Sequence, residues 1–115
     1  MLASPNRLKK KKDFDTTFKN SKVFKNIFFI FRIAKNNLGV NRVGIVVSQK
    51  VSKKAVERNK IRRIISEIMA KEIKKIQTGV DIIIVALQQV LREDQSQIKK
   101  EVENLLIRSG IIKNV

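Results

Sequence analysis

The sequence predicts a small single-domain α+β sandwich, with one central, mostly antiparallel sheet packed with helices. Three observations lead there. Ile27 to Ala34 (I-F-F-I-F-R-I-A) and Val80 to Leu87 (V-D-I-I-I-V-A-L) are β-branched and aromatic runs too short for buried helices. Between them Ile61, Ile64, Ile65, Ile68, Met69, Ile73 and Ile76 recur at helical spacing. The chain has 115 residues, 43% of them apolar, which is enough for one modest core and not for two.

Taken in order, residues 1–12 (M-L-A-S-P-N-R-L-K-K-K-K) are too charged to bury much and predict a flexible basic segment, leaving 13–115 as the folded domain. Asp13 is placed to N-cap a short helix that carries Phe14 and Phe18 on one face, a spacing that fits either a core contact or a ligand platform. A short strand near Lys22 to Phe24 is an optional addition. The run at Ile27 to Ala34 is apolar on both faces and calls for cover on both. Turn residues from Asn36 to Asn41 then lead to the alternating stretch Arg42 to Gln49, so these two strands predict a hairpin, with Gly44 marking a bulge or a close approach. Ser52 is the expected cap of the long helix and Gly79 its expected end. On that helix Asn59, Arg62, Arg63 and Ser66 share one polar flank, with Arg58 a turn earlier. A strand from Val80 and an amphipathic helix through Ile98, Val102, Leu105 and Leu106, closed by Gly110, complete the chain. There is no internal repeat.

The net charge is +16, from 26 basic and 10 acidic residues. Such a charge points to a polyanionic partner. Residues 1–40 hold ten basic and two acidic residues, 41–76 eleven and three, and 77–115 five and five. The binding surface is therefore expected in the first two thirds. No apolar run reaches the length of a membrane span, and the N-terminus lacks an apolar signal core, so a cytoplasmic protein without a membrane partner is expected.

Chemistry of the chain's own is harder to place. Cysteine and histidine are both absent, so thiolate and imidazole metal sites are excluded. The carboxylates are scattered, and Asp81, at the head of an apolar strand, fits a cation contact or a turn better than catalysis. Glycine-rich phosphate loops are missing as well. No catalytic residue, protein-held metal or small-molecule substrate is expected. What the chain does offer is Arg58, Arg62 and Arg63 for successive phosphates, Asn59 for a base edge or a 2′-hydroxyl, and Lys50, Lys53 and Lys54 at the helix entrance.

That segment, K-A-V-E-R-N-K-I-R-R-I-I-S-E from Lys54 to Glu67, resembles the arginine-rich signature of the protein subunit of bacterial ribonuclease P, K-A-V-x-R-N-x-x-K-R-x-x-R-E. Three more pieces agree in order: Arg7 to Phe18 with R-L-x-x-x-x-D-F-x-x-V-F, Arg42 to Val51 with R-x-G-x-x-V-S-x-K-V, and Gly79 to Ile83 with G-x-D-x-V. The likeness runs from about residue 7 to 106. It departs at Ser66, in place of the signature's last arginine, at Arg62, where Lys is common, at Phe31, where Tyr is frequent, and at Leu87, where Arg is frequent.

The resemblance implies a left-handed β-α-β crossover and a monomeric protein that joins ribonuclease P RNA to cleave the 5′ leader from precursor tRNA, with Mg²⁺ held by the RNA. It implies that Lys50, Lys53, Lys54, Arg58, Asn59, Arg62 and Arg63 meet the RNA subunit. It also implies a leader cleft made by Lys10, Lys11, Lys12, Phe14, Phe18 and Phe31, in which rings within a basic groove stack a single strand with little sequence choice. The competing reading is a structural RNA-binding protein of ribosomal type, which composition alone does not separate from this one.

Overall fold

The computed structural model describes residues 2–112. Among them three α-helices and four strands follow in the order α1 (Lys11–Asn20), β1 (Lys22–Lys25), β2 (Phe29–Lys35), β3 (Arg42–Val46), α2 (Ala55–Glu72), β4 (Val80–Ala86) and α3 (Gln95–Arg108). The strands form one sheet ordered β1-β2-β4-β3. The pairs β1/β2 and β2/β4 are antiparallel, and β3/β4 is parallel. A β-α-β crossover through α2 joins that parallel pair.

The expected hairpin between β2 and β3 does not form, because β4 lies between them. The reason is burial: Val80, Asp81, Ile82, Ile83, Ile84 and Ala86 are all buried, so this strand is covered on both faces and needs a neighbour on each edge. Asn36 to Asn41 accordingly passes the start of β4, with Asn36 N–H donating to the Gly79 carbonyl at 2.9 Å.

One face of the sheet carries the main core. Phe29, Phe31 and Ile33 of β2, Val43 of β3, and Val80, Ile82 and Ile84 of β4 pack there with Ile61, Ile65 and Met69 of α2 and Val102, Leu105 and Leu106 of α3. The other face is covered in part by α1. Ile27 falls outside β2 and is exposed, since Asn26 ends the preceding turn by accepting the Phe28 and Phe29 N–H groups at 2.8 Å.

Helix boundaries shift from expectation for local reasons. The first helix begins at Lys11 with Lys10 as its cap, and Asp13 sits inside the first turn with its carboxylate turned to Arg42. The cap position of α2 falls to Lys54. Ser52, two residues earlier, accepts from the Lys54 N–H at 3.1 Å and donates to Glu57. That helix ends at Glu72 and passes into a 3-10 turn over Ile73–Lys75, which leaves Ile76 outside it. Gly79, with φ +88°, makes the bend into β4 instead of closing the helix. Asp94 caps α3 by accepting from the Gln97 N–H at 2.8 Å.

Residues 1–12, expected as a flexible segment, are described from Leu2 and are seated on the body at several points. Leu2 and Leu8 are buried, the Leu8 N–H donates to the Val43 carbonyl at 2.9 Å, and Asn6 Nδ2 donates to the Asn41 carbonyl at 2.8 Å. Ser66, expected on the polar flank of α2, is buried where its Oγ accepts the Leu2 N–H at 3.4 Å.

Candidate nucleic-acid interface

Because side chains alternate across a sheet, the pairing register sorts the face under α1 into rows. The first reads Ala34–Asp81–Arg42, the second Val23–Arg32–Ile83–Gly44, and the third Lys25–Ile30–Val85–Val46.

The helix α1 crosses the first two rows. Its Asp13 and Phe14 lie over β3, Thr17 over β4 and Phe18 over β2. Gly44 makes the crossing possible, for a Cβ there would stand 2.5 Å from Phe14 Cζ. Sequence reading expected a bulge or a close approach at this glycine, and the close approach is what is found.

A polar staple fixes the helix beside that contact. Arg42 donates from Nε and Nη2 to Asp81 at 2.8 and 2.6 Å, and from Nη1 to Asp13 at 3.1 Å. Asn36 Nδ2 donates to Asp81 at 2.7 Å and Thr17 Oγ1 at 3.4 Å. Burial pushes the Asp81 carboxyl upward, but the Arg42 and Asn36 hydrogen bonds, the Arg42 charge and the Thr17 hydroxyl together hold it below the ordinary carboxylate range. Asp81 is thus a cation partner, as its position in the sequence indicated.

The third row lies beyond the helix. Ile30, Val85 and Val46 are half-buried and form an aliphatic floor that ends at exposed Lys25 on the edge strand. Three interstrand steps make it about 14 Å long. Phe18 is 41% exposed, and the Arg32 guanidinium lies over its ring at 4.6 Å from the centroid. The stack pre-orients a cation on an aromatic platform.

Phe31 does not belong to this groove. It is 0% exposed and meets Phe29 edge-on at 6.1 Å in the core on the opposite face. Its neighbour Arg32 occupies the groove side, a residue to which sequence reading gave no role. The alternation of Phe29, Phe31 and Ile33 with Ile30 and Arg32 carried the signal. Lys10, Lys11 and Lys12 are exposed at the start of α1, on the same helix as the two rings.

The basic residues of the crossover divide into two kinds. Lys50, Lys53, Lys54, Asn59 and Arg63 are exposed. Arg58 and Arg62 are half-buried and partly occupied: Arg58 Nη1 donates to the Ser52 carbonyl at 2.9 Å, Arg62 Nη2 to the Val47 carbonyl at 3.2 Å and its Nη1 to Asn59 Oδ1 at 2.6 Å. Each pins the loop that carries the three lysines. A guanidinium has five N–H donors, so both keep donors for a further partner.

The fold and this surface together define a small basic α+β protein with an open, partly apolar groove flanked by cations. Residues 2–110 match the family model of ribonuclease P. The ribonuclease P protein component of Clostridioides difficile is 39% identical over 105 residues, covering 90% of this chain and 91% of its own, and that of Thermoanaerobacter sp. is 35% identical over 105 residues, covering 91% and 90%. Among solved structures, the RNase P protein of Staphylococcus aureus superposes with a TM-score of 0.87 at 31% identity, covering 94% of this chain and 98% of that one. That of Thermotoga maritima superposes with a TM-score of 0.80 at 32% identity and the same coverage. The chain belongs to the ribonuclease P protein family, which ties it to tRNA processing and to an RNA partner in a ribonucleoprotein. No helix among the described residues is long and apolar enough to cross a membrane.

Proposed function

We propose that this chain acts as a monomer that holds the 5′ leader of precursor tRNA while a catalytic RNA cleaves it, so that the hydrolysis belongs to the RNA and the protein acts by binding. The half-exposed floor beside the Phe18–Arg32 stack carries this reading, since it leaves an apolar, ring-bearing strip open on an otherwise strongly basic protein. Bases can stack or lie flat there while their phosphates meet the lysines at the start of α1. Lys50, Lys53, Lys54, Asn59 and Arg63, with the spare donors of Arg58 and Arg62, serve the RNA subunit. Mg²⁺ is assigned to the RNA. In support, Asp13 and Asp81 on the groove face are already bound to Arg42, and no group of three potential ligands gathers among the described residues.

The test is reconstitution. Added to a bacterial ribonuclease P RNA at low Mg²⁺, the protein should restore cleavage at the mature 5′ end, and alone it should cleave nothing. Cleavage by the RNA that is indifferent to the protein would refute the role, and cleavage by the protein alone would move the chemistry to its own residues.

A further inference from the structure

The floor of the groove runs on to the far edge of the sheet, and the residues at its two ends differ. At the β3 end, Val46 leads into the loop that bears Lys50, Lys53 and Lys54. At the other end the row closes on Lys25 of the edge strand β1, an exposed cation that joins no ion pair among the described residues. Arg108, exposed at the last turn of α3, reaches the edge of the same strand from the opposite face, its Nη1 donating to the Lys25 backbone carbonyl at 3.4 Å. The carboxylate on that side, Glu101, is taken up by Asn26 Nδ2 at 3.1 Å and Gln97 Nε2 at 3.3 Å.

We propose that Lys25 and Arg108 form the exit of the groove and bind phosphates of the leader's 5′ portion after it has crossed the floor. This rests on the leader-binding reading above. The occupant is single-stranded RNA because the apolar floor can take bases, while cations stand at both ends of its roughly 14 Å to take the backbone. The direction follows from the other end. The RNA subunit is assigned to the α2 side, so the nucleotides next to the cleavage point lie by Val46 and the strand runs 3′ to 5′ toward β1. Leader nucleotides close to the cleavage point therefore never reach Lys25.

Leader length tests this. The holoenzyme is assayed for binding to precursor tRNAs whose leaders lengthen one nucleotide at a time, with wild-type protein, Lys25→Gln, and Lys25→Gln combined with Arg108→Gln. Wild type should show a rise in affinity at one leader length after the floor is filled, and the variants should match it below that length and lose the rise above it. With long leaders the slope of log affinity against log salt should flatten by about 0.7 for each phosphate that is no longer neutralised, and so by about 1.4 in the double variant. Both side chains are exposed, so melting curves should be unchanged; if Arg108→Gln loosens β1, Lys25→Gln alone decides. Variants that track wild type at every length, or fall equally at every length, overturn the exit. If wild-type affinity does not distinguish precursor from mature tRNA at all, the leader-binding reading falls and the exit with it.

Discussion

Arg58 and Arg62 face two ways, toward the carbonyls of the crossover loop and toward solvent, and this separates them from Arg63. Replacing Arg63 by Ala should weaken RNA-subunit binding by about 1 to 3 kcal/mol by removing a charge-assisted hydrogen bond, and leave unfolding unchanged. Arg58→Ala should weaken binding similarly and also lower stability by about 1 kcal/mol, because the Ser52 carbonyl loses its donor. Denaturant melts beside RNA titrations check both; equal stability of the two variants would mean that the loop hydrogen bond contributes nothing. Phe18 and Phe31, both expected in the cleft from sequence, should part in the same way. Phe31→Ala empties a fully buried site and should cost about 3 to 5 kcal/mol of stability, reducing the binding of every ligand alike. Phe18→Ala should spare the fold and remove about 1 to 3 kcal/mol of preference for precursor over mature tRNA. A collapsed melting temperature for Phe18→Ala would return that ring to the core.

The placement of α1 depends on Gly44 beneath it and the Arg42 staple beside it, and the staple has a pH signature. Asp81 has a lower carboxyl pKa in the folded chain than in the unfolded one, so the stability it contributes is complete above the unfolded value of about 3.9 and is lost as pH falls through the folded value. Asp81→Asn should lower stability at neutral pH and flatten the acid limb below about pH 4. An acid limb as steep as wild type would place the acid sensitivity elsewhere. Sequence alone left Asp81, at the head of an apolar strand, between a cation contact and a turn, and could not say that its partner was Arg42 of a parallel neighbour. The same limit explains the hairpin. Local pattern marked β2, β3, α2, β4 and α3, because each has its own periodicity, whereas strand order depends on which edges meet. Phe31 was misplaced by a single residue, and in a strand one residue reverses the face.

For the whole molecule the distribution of charge is the organising fact. The electrically neutral last third supplies the interior strand β4 and a core helix, and the basic two thirds supply the cations that flank the groove, the crossover loop and α1. A charge of +16 on one small core repels itself, so sulfate or phosphate should raise the melting temperature at low ionic strength by binding the native surface. A melting temperature indifferent to sulfate would show that no anion site is preformed. The lysines and arginines were legible as a binding surface from composition. The division of the arginines between RNA and loop was not, because it depends on where the Ser52 and Val47 carbonyls point.

The central place of β4 also sets an order of events during synthesis. Strands β2 and β3 touch no common partner until Val80 to Ala86 has left the ribosome, so the sheet cannot close while the first 79 residues emerge. Contacts of such long sequence separation form slowly. Through that interval the nascent chain is an unfolded polycation, already carrying most of its positive charge and none of its finished core. The first large polyanion it meets is the ribosome that is making it, and folding must compete with that encounter.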